Sequence, residues 1–403
     1  MSNRNNKSKM AKFLLIFIMS FMFIYVGLFL FLDLDGNGRS DRKKDGIREF
    51  EATNGAKIKA TENSKEDIVP PVQYKHWSTE VNGNKQEVNI LEINPRSERV
   101  KVKPVLSFNS VFGFEKLSAM ALRWGAYAAV NAGFFHEFGQ PSGMIVIDGE
   151  VITGSTGNYP LLIVKDKRAT LEILKSELWI SGKNNRILAD DINILGLEGK
   201  TVIYTDKFGT DNRAKIENTT ATIEKGVVTK VGKYEGKVNI PRGGMLLSYY
   251  GQNQKLEEDL QSKLKVGDEV ELLCYPNLGN EAQVYECGSW IIKDGQVVIG
   301  EKDEWVGVMT NWDPRTAVGI KEDGNILLLT VDGRQPGYSV GLTGYELGNL
   351  LLELGAKNAA MLDGGASTEM ILQGRIVNRP SHKGQERPLA GAIIVEYSVE
   401  HGK

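Results

Sequence analysis

Two aspartates stand out because each directly precedes glycine at the end of an apolar run. Ile326–Val331 leads into Asp332-Gly333 and then Arg334. Asn358–Leu362 leads into Asp363-Gly364-Gly365, with Ser367 and Thr368 close behind. A carboxylate can attack carbon, take a proton or bind a cation, and adjacent glycine lets a ligand approach the backbone. A single Asp-Gly more often marks a plain turn. Two matched occurrences in loops after strands are the pattern of a site, because such loops usually carry the chemistry.

The elements that must position these residues are legible. The continuous apolar run Ile326–Val331 predicts a strand buried on both faces. Thr343-Gly344-Tyr345-Glu346 has the spacing of a capping box and opens a helix. Leu347, Leu350, Leu351 and Leu354 give that helix one apolar face, and Gly355 stands where its cap belongs. Glu346 is thus a third acid candidate whose capping role already explains it. Upstream, Ala126–Val130 predicts a strand running into Asn131-Ala132-Gly133-Phe134-Phe135-His136. Asn131 could orient a hydroxyl or a phosphate. The two phenylalanines fit either a sugar-stacking surface or, more often, core, and His136 is a lesser candidate. Arginine's planar fork suits phosphate oxygens, and the candidates are Arg315, Arg334, Arg379 and Arg387.

In order along the chain, VNAGFF at Val130–Phe135, PRTAVGI at Pro314–Ile320, TVDGR, LDGGAS and ERPLAGAIIV resemble the phosphodiester glycosidase family. That family contains the enzyme that exposes mannose 6-phosphate on lysosomal glycans. The resemblance runs from about Tyr127 to Val395 and is weak between about Arg168 and Ala282. It implies hydrolysis of a sugar-1-phosphodiester, with Asp332 and Asp363 as the carboxylates. Arg315, Arg334 and Arg387, which fall inside matching motifs, become a phosphate clamp. Asn131, Ser367 and Thr368 become a hydrogen-bonding rim. The substrate would be a phosphodiester-linked glycan or glycopolymer, and no cofactor is required.

Composition sets the limits. The 403 residues are 41% hydrophobic and 25% charged, as in globular proteins. Lysine and arginine number 49 against 51 acids, so no nucleic-acid surface is expected. The 44 glycines predict many tight turns. Phe13–Leu32 is an unbroken apolar run long enough to cross a bilayer, preceded by Arg4, Lys7, Lys9 and Lys12. It predicts an uncleaved, single-pass signal anchor with the rest of the chain extracytoplasmic. A cleaved signal peptide is the alternative, and it gives the same location. Residues 33–68 predict a polar linker. Within it, Asp33, Asp35, Asn37 and Asp41 have the spacing of a calcium loop, but Lys44 replaces the final acid, so at most weak binding is expected.

Residues 69–403 form the expected functional domain, with 168–298 as a β-rich inserted segment. The fold class is α+β: a β-rich mixed sheet with a few packed helices, preceded by the one transmembrane helix. Cys274 and Cys287 flank an expected hairpin in which the two would face each other. An extracytoplasmic disulfide is one reading and free thiols the other. Two rival functions remain: a non-catalytic glycan-binding or exopolysaccharide-organising module, and a metal-dependent phosphodiesterase. The second would need a histidine-rich ligand cluster, and the chain has four histidines in all.

Overall fold

A computed structural model describes residues 69–251 and 254–398. The apolar run Phe13–Leu32, the linker, and Asp33, Asp35, Asn37 and Asp41 lie outside the described residues. Among the described residues, no helix is long and apolar enough to cross a membrane.

Two antiparallel sheets dominate. The larger has seven strands in the order Val72–Val81, Asn84–Ile93, Ile326–Val331, Arg315–Lys321, Ala356–Met361, Trp290–Lys293 and Gln296–Val297. The smaller has five, in the order Arg375–Ile376, Met370–Leu372, Ala128–Asn131, Gly391–Tyr397 and Val100–Leu106. Leu91, Val318 and Leu328 of the first share one buried core with Val102, Val130 and Ile393 of the second. The outer face of the larger sheet is covered by the helix Gly344–Glu353, through Leu347, Leu350 and Leu351. The outer face of the smaller is covered by the helix Leu117–Arg123, through Leu117, Met120 and Ala121. The layers therefore run helix, sheet, sheet, helix, each sheet apolar on both faces as period-2 burial requires.

The two main sheets are antiparallel throughout, and the expected mixed pairing occurs in a smaller sheet. The strands Ile326–Val331 and Ala356–Met361 run in the same direction, but Arg315–Lys321 lies between them, antiparallel to both. Both aspartates therefore leave the same end of the sheet without parallel pairing. One parallel pair occurs elsewhere among the described strands, between Asp191–Ile192 and Thr201–Thr205. Asn84–Ile93 joins the larger main sheet and Val100–Leu106 the smaller.

The turn chemistry follows the sequence. Asp148 (φ 49°) and Gly149 (φ 79°) close a hairpin between Ile145–Ile147 and Glu150–Thr153, as a type I′ turn requires. The Thr343–Glu346 capping box forms completely, and Gly355 (φ 87°) stands in the left-handed conformation just past the helix. Residues 168–298 build three smaller sheets together with neighbouring strands, and the helix Gln254–Lys263 belongs to this segment.

The cysteine expectation is overturned: Cys274 and Cys287 are both free. Val270–Tyr275 pairs with Glu177–Gly182, which sets Cys274 opposite Leu178. Gln283–Glu286, just before Cys287, pairs instead with Ile145–Ile147 and Leu161–Lys165. The two strands enter different sheets, so no hairpin register brings the sulfurs together.

Candidate functional site

Strand parity decides which predicted residues can meet. Arg315 opens its strand with its side chain on the helix-covered face and is 2% exposed. Its guanidinium donates to the carbonyls of Leu342 (2.8 Å) and Asn311 (2.7 Å) and lies 3.8 Å from the sulfur of Met309. Burial lowers its pKa, and Asp313 opposes that shift. Arg315 is therefore a framework residue rather than part of a phosphate clamp. Thr316, one residue on, faces between the sheets and donates to Asn131 Oδ1 at 2.8 Å.

Asn131 ends its strand, and every polar atom of its side chain is engaged. Oδ1 also accepts the Glu369 N–H at 3.1 Å, and Nδ2 donates to the carbonyls of Asp363 and Ala132. At 1% exposure it ties three loops together and does not form a substrate-facing rim. Thr368 is likewise internal, 1% exposed with its hydroxyl 3.3 Å from that of Thr316.

Asp332 is 1% exposed. Its Oδ1 accepts from Asn378 Nδ2 (2.9 Å), and its Oδ2 from the Arg379 N–H (2.8 Å) and the Tyr338 hydroxyl (3.1 Å). Burial raises its pKa, and these three donors pull it back. A carboxylate so enclosed by donors organises the 378–379 and 338 loops. The expectation that it is a reacting carboxylate is corrected. Glu346 is corrected too: Oε2 accepts from the Thr343 N–H and hydroxyl, and Oε1 from Asn82 Nδ2. The helix cap and Asn82 together engage both oxygens.

Asp363 differs. It is half-buried, and its backbone N–H is fixed to the Ala132 carbonyl at 3.1 Å. Burial pushes its carboxyl up to about 6, against the pull of the Ser367 hydroxyl, the Arg387 charge and the Gly364 N–H. Ser367 is 1% exposed, and its hydroxyl has no well-formed hydrogen bond among the described residues. Its hydroxyl lies on the Asp363 side but falls short of hydrogen-bonding geometry.

One arginine, Arg387, acts on this carboxyl, and a second, Arg334, lies against the loop that carries it. Arg387 is half-buried, and its guanidinium rests 5.7 Å from the ring of Phe135, which in turn packs edge-on against Phe114 at 5.5 Å. Arg334 is held by Asp313 through Nε at 2.8 Å, with a half-exposed side chain. Its two terminal nitrogens lie 3.2 and 3.4 Å from where a Cβ on Gly365 would stand. Gly365, at φ 59°, lets the guanidinium settle against the Asp363 loop. Arg379 is exposed and lies over the Tyr338 ring at 5.2 Å.

The remaining candidates sort simply. Phe134 is core, packing on Trp305 at 5.4 Å. A Cβ at Gly288 would meet its ring at 2.9 Å, so only glycine fits there. His136 is exposed. Among the described residues, no three His, Cys, Asp or Glu side chains group to hold a metal ion.

Sequence reasoning missed Glu369. It is fully buried, its Oε1 accepts the Arg387 N–H at 2.7 Å, and its Oε2 has no partner among the described residues. Burial pushes it up to about 8, with Glu386 adding to the shift. An acid before a short strand gives no signal by type or spacing; only burial distinguishes it.

Comparison with known proteins follows the same region. The SPbeta prophage-derived uncharacterized protein YomE of Bacillus subtilis (strain 168) is 34% identical over 110 residues, 27% of this chain and 17% of that one. The N-acetylglucosamine-1-phosphodiester alpha-N-acetylglucosaminidase of Bos taurus is 31% identical over 111 residues, 24% of this chain and 20% of that one. The chain thus spans about a fifth of the length of these curated relatives. A crystal structure of a hypothetical protein from Synechocystis shares the fold, with TM-score 0.68 and 22% identity over 82% of this chain and 64% of that one. The family model for phosphodiester glycosidase matches residues 217–396, a range that holds Asp363, Ser367, Glu369, Arg334 and Arg387 but not Asn131.

Proposed function

We propose that the chain is a hydrolase that cleaves the glycosidic bond of a sugar-1-phosphodiester. One observation carries the reading: Asp363, whose carboxyl burial pushes up to about 6, lies beside the buried Ser367 hydroxyl and the Arg387 charge. The match of residues 217–396 to the phosphodiester glycosidase model supports it.

The chemistry requires few groups. The bond from the anomeric carbon to a phosphate oxygen breaks, and water supplies the replacement oxygen. The sugar leaves as the free hemiacetal and a phosphomonoester remains. A phosphate is a good leaving group, so protonation by a general acid is less needed than for an ordinary glycoside. Asp363 then attacks the anomeric carbon or activates water. Arg387 and Arg334 bind the phosphate oxygens and stabilise the charge that collects there. With Asp332 held inside the framework, Asp363 is the one carboxylate of the original pair left for this role. No cofactor enters the scheme.

The finer reading is also a proposal. The apolar run Phe13–Leu32 anchors the chain in the cell membrane with the N-terminus cytoplasmic, and the domain acts outside on cell-surface or extracellular glycopolymers. Calcium at Asp33–Asp41 would be a minor addition on the tether.

The test is product identity. The full-length chain, purified in detergent, is incubated with a panel of UDP-sugars and sugar phosphodiesters. Free reducing sugar is expected. Sugar-1-phosphate would mean cleavage at phosphorus, and binding without product would mean a glycan-binding module; either overturns the reading.

A further inference from the structure

Glu369 is a buried carboxyl that the catalytic scheme does not use. Glu369 is 0% exposed, and its Oε2 has no hydrogen-bond partner among the described residues. A buried carboxylate with an unsatisfied oxygen is costly, and a native structure keeps such a group for a reason.

Its connections are specific. The Glu369 carbonyl accepts from the Asn131 N–H, and the Glu369 N–H donates to Asn131 Oδ1. Asn131 Nδ2 in turn donates to the Asp363 carbonyl. On its other side, Glu369 Oε1 accepts the Arg387 N–H at 2.7 Å. Glu369 therefore joins the loop bearing Asp363 to the loop bearing Arg387 through two short hydrogen-bonded paths. Its carboxyl makes the link to Arg387, and its backbone, through Asn131, makes the link to the Asp363 loop.

We propose that Glu369 is a positioning residue: its carboxyl fixes the Arg387 backbone beside the site of an anionic phosphodiester, and while uncharged it leaves the Arg387 guanidinium free for that anion. The proposal rests on the functional reading in taking the ligand to be a phosphodiester. The charged groups facing Glu369 are Glu386, Arg387 and Lys116. Glu386 is itself held by the Ser118 N–H (2.7 Å) and hydroxyl (2.8 Å) at the start of the Leu117–Arg123 helix. When Glu369 ionises, a negative charge appears beside Arg387 in a low-dielectric setting and competes with the bound anion for the same guanidinium. Burial raises the Glu369 carboxyl to about 8, which places the loss in the mildly alkaline range.

The test uses dimethyl phosphate, a monoanion throughout the range, titrated into the full-length chain and followed by phosphorus NMR from pH 6.5 to 9.5. Wild type should lose affinity about fivefold or more with a midpoint near 8, whereas Glu369→Gln, always neutral, should vary less than about twofold. Glu386→Gln supplies a second variant if Glu369→Gln does not fold. Removing the Glu386 charge should move the wild-type midpoint to lower pH. Superimposable profiles for wild type and Glu369→Gln, an unmoved midpoint in Glu386→Gln, or no binding by wild type would each overturn the proposal. Sugar release is scored separately. A pH-dependent binder that releases no sugar keeps this inference and loses the hydrolase reading; a hydrolase with a flat binding profile does the reverse.

Discussion

Thr316 donates its hydroxyl to Asn131 Oδ1 at 2.8 Å across the space between the two main sheets. That bond sets the larger sheet, which carries Arg315, Thr316 and both aspartate loops, against the strand end at Asn131. It also shows why Arg315, one residue away on the opposite face, cannot take part in the site.

Asp363 should control turnover and its acid limb. Its folded carboxyl titrates near 6 against an ordinary value of 3.8. Activity that needs the carboxylate should rise with pH through about 6, visible in kcat/KM. Folding favours the neutral form, so this group's stabilising contribution is full below pH 3.8 and is lost as pH rises through about 6. Asp363→Asn should cut kcat by ~10²-fold or more and flatten that part of the stability profile. Near-normal turnover in the variant would remove Asp363 from the mechanism.

Asp332 should behave as a framework residue. Replacing it by asparagine turns one acceptor oxygen into a donor facing Asn378, Tyr338 and the Arg379 N–H. Chemical denaturation should report a loss of about 1–3 kcal/mol, the usual cost of mismatching a buried charge-assisted network. A variant of unchanged stability and abolished turnover would return Asp332 to the reaction.

The two arginines should separate. Arg315→Lys removes bonds to the carbonyls of Leu342 and Asn311 and should lower stability by about 2 kcal/mol with little change in KM for the folded fraction. Arg334→Ala breaks a half-exposed ion pair, so its stability should change by under about 1 kcal/mol while KM rises roughly tenfold. Reversal of this pattern in denaturation and kinetics would mean that the assignments are exchanged.

The cysteines offer a direct check of the strand pairing. Without reductant, alkylation of the native chain should label Cys274, which is half-buried, and spare Cys287. Burial pushes the Cys287 thiol to about 12, which leaves almost no thiolate to react. Denaturation should then expose a second free thiol by mass. A chain that accepts no label even when denatured would carry a disulfide after all.

The proposed orientation is tested on intact cells. External protease should remove the domain and leave a short N-terminal stub, as expected for a signal anchor with basic residues on the cytoplasmic side. A protected domain would reverse the orientation.

Local order determined a good deal. Thr343 and Glu346 specified a helix start because capping depends on residues three apart. Asp148-Gly149 specified its hairpin, and the two apolar runs specified buried strands that end in Asp-Gly, because these effects act over a few residues. What lies opposite a residue is decided by distant chain. Arg315 and Thr316 look equally available in sequence, yet sheet parity puts one under a helix and the other between sheets. The two Asp-Gly motifs are alike in sequence, but only Asp332 meets Asn378, Tyr338 and Arg379, which give it three hydrogen bonds. Cys274 and Cys287 were separated by strands drawn into different sheets, a long-range choice that local turn counting does not see. Glu369 carried no local mark at all: its burial exists only once the Asn131 strand end and the Arg387 loop meet around it.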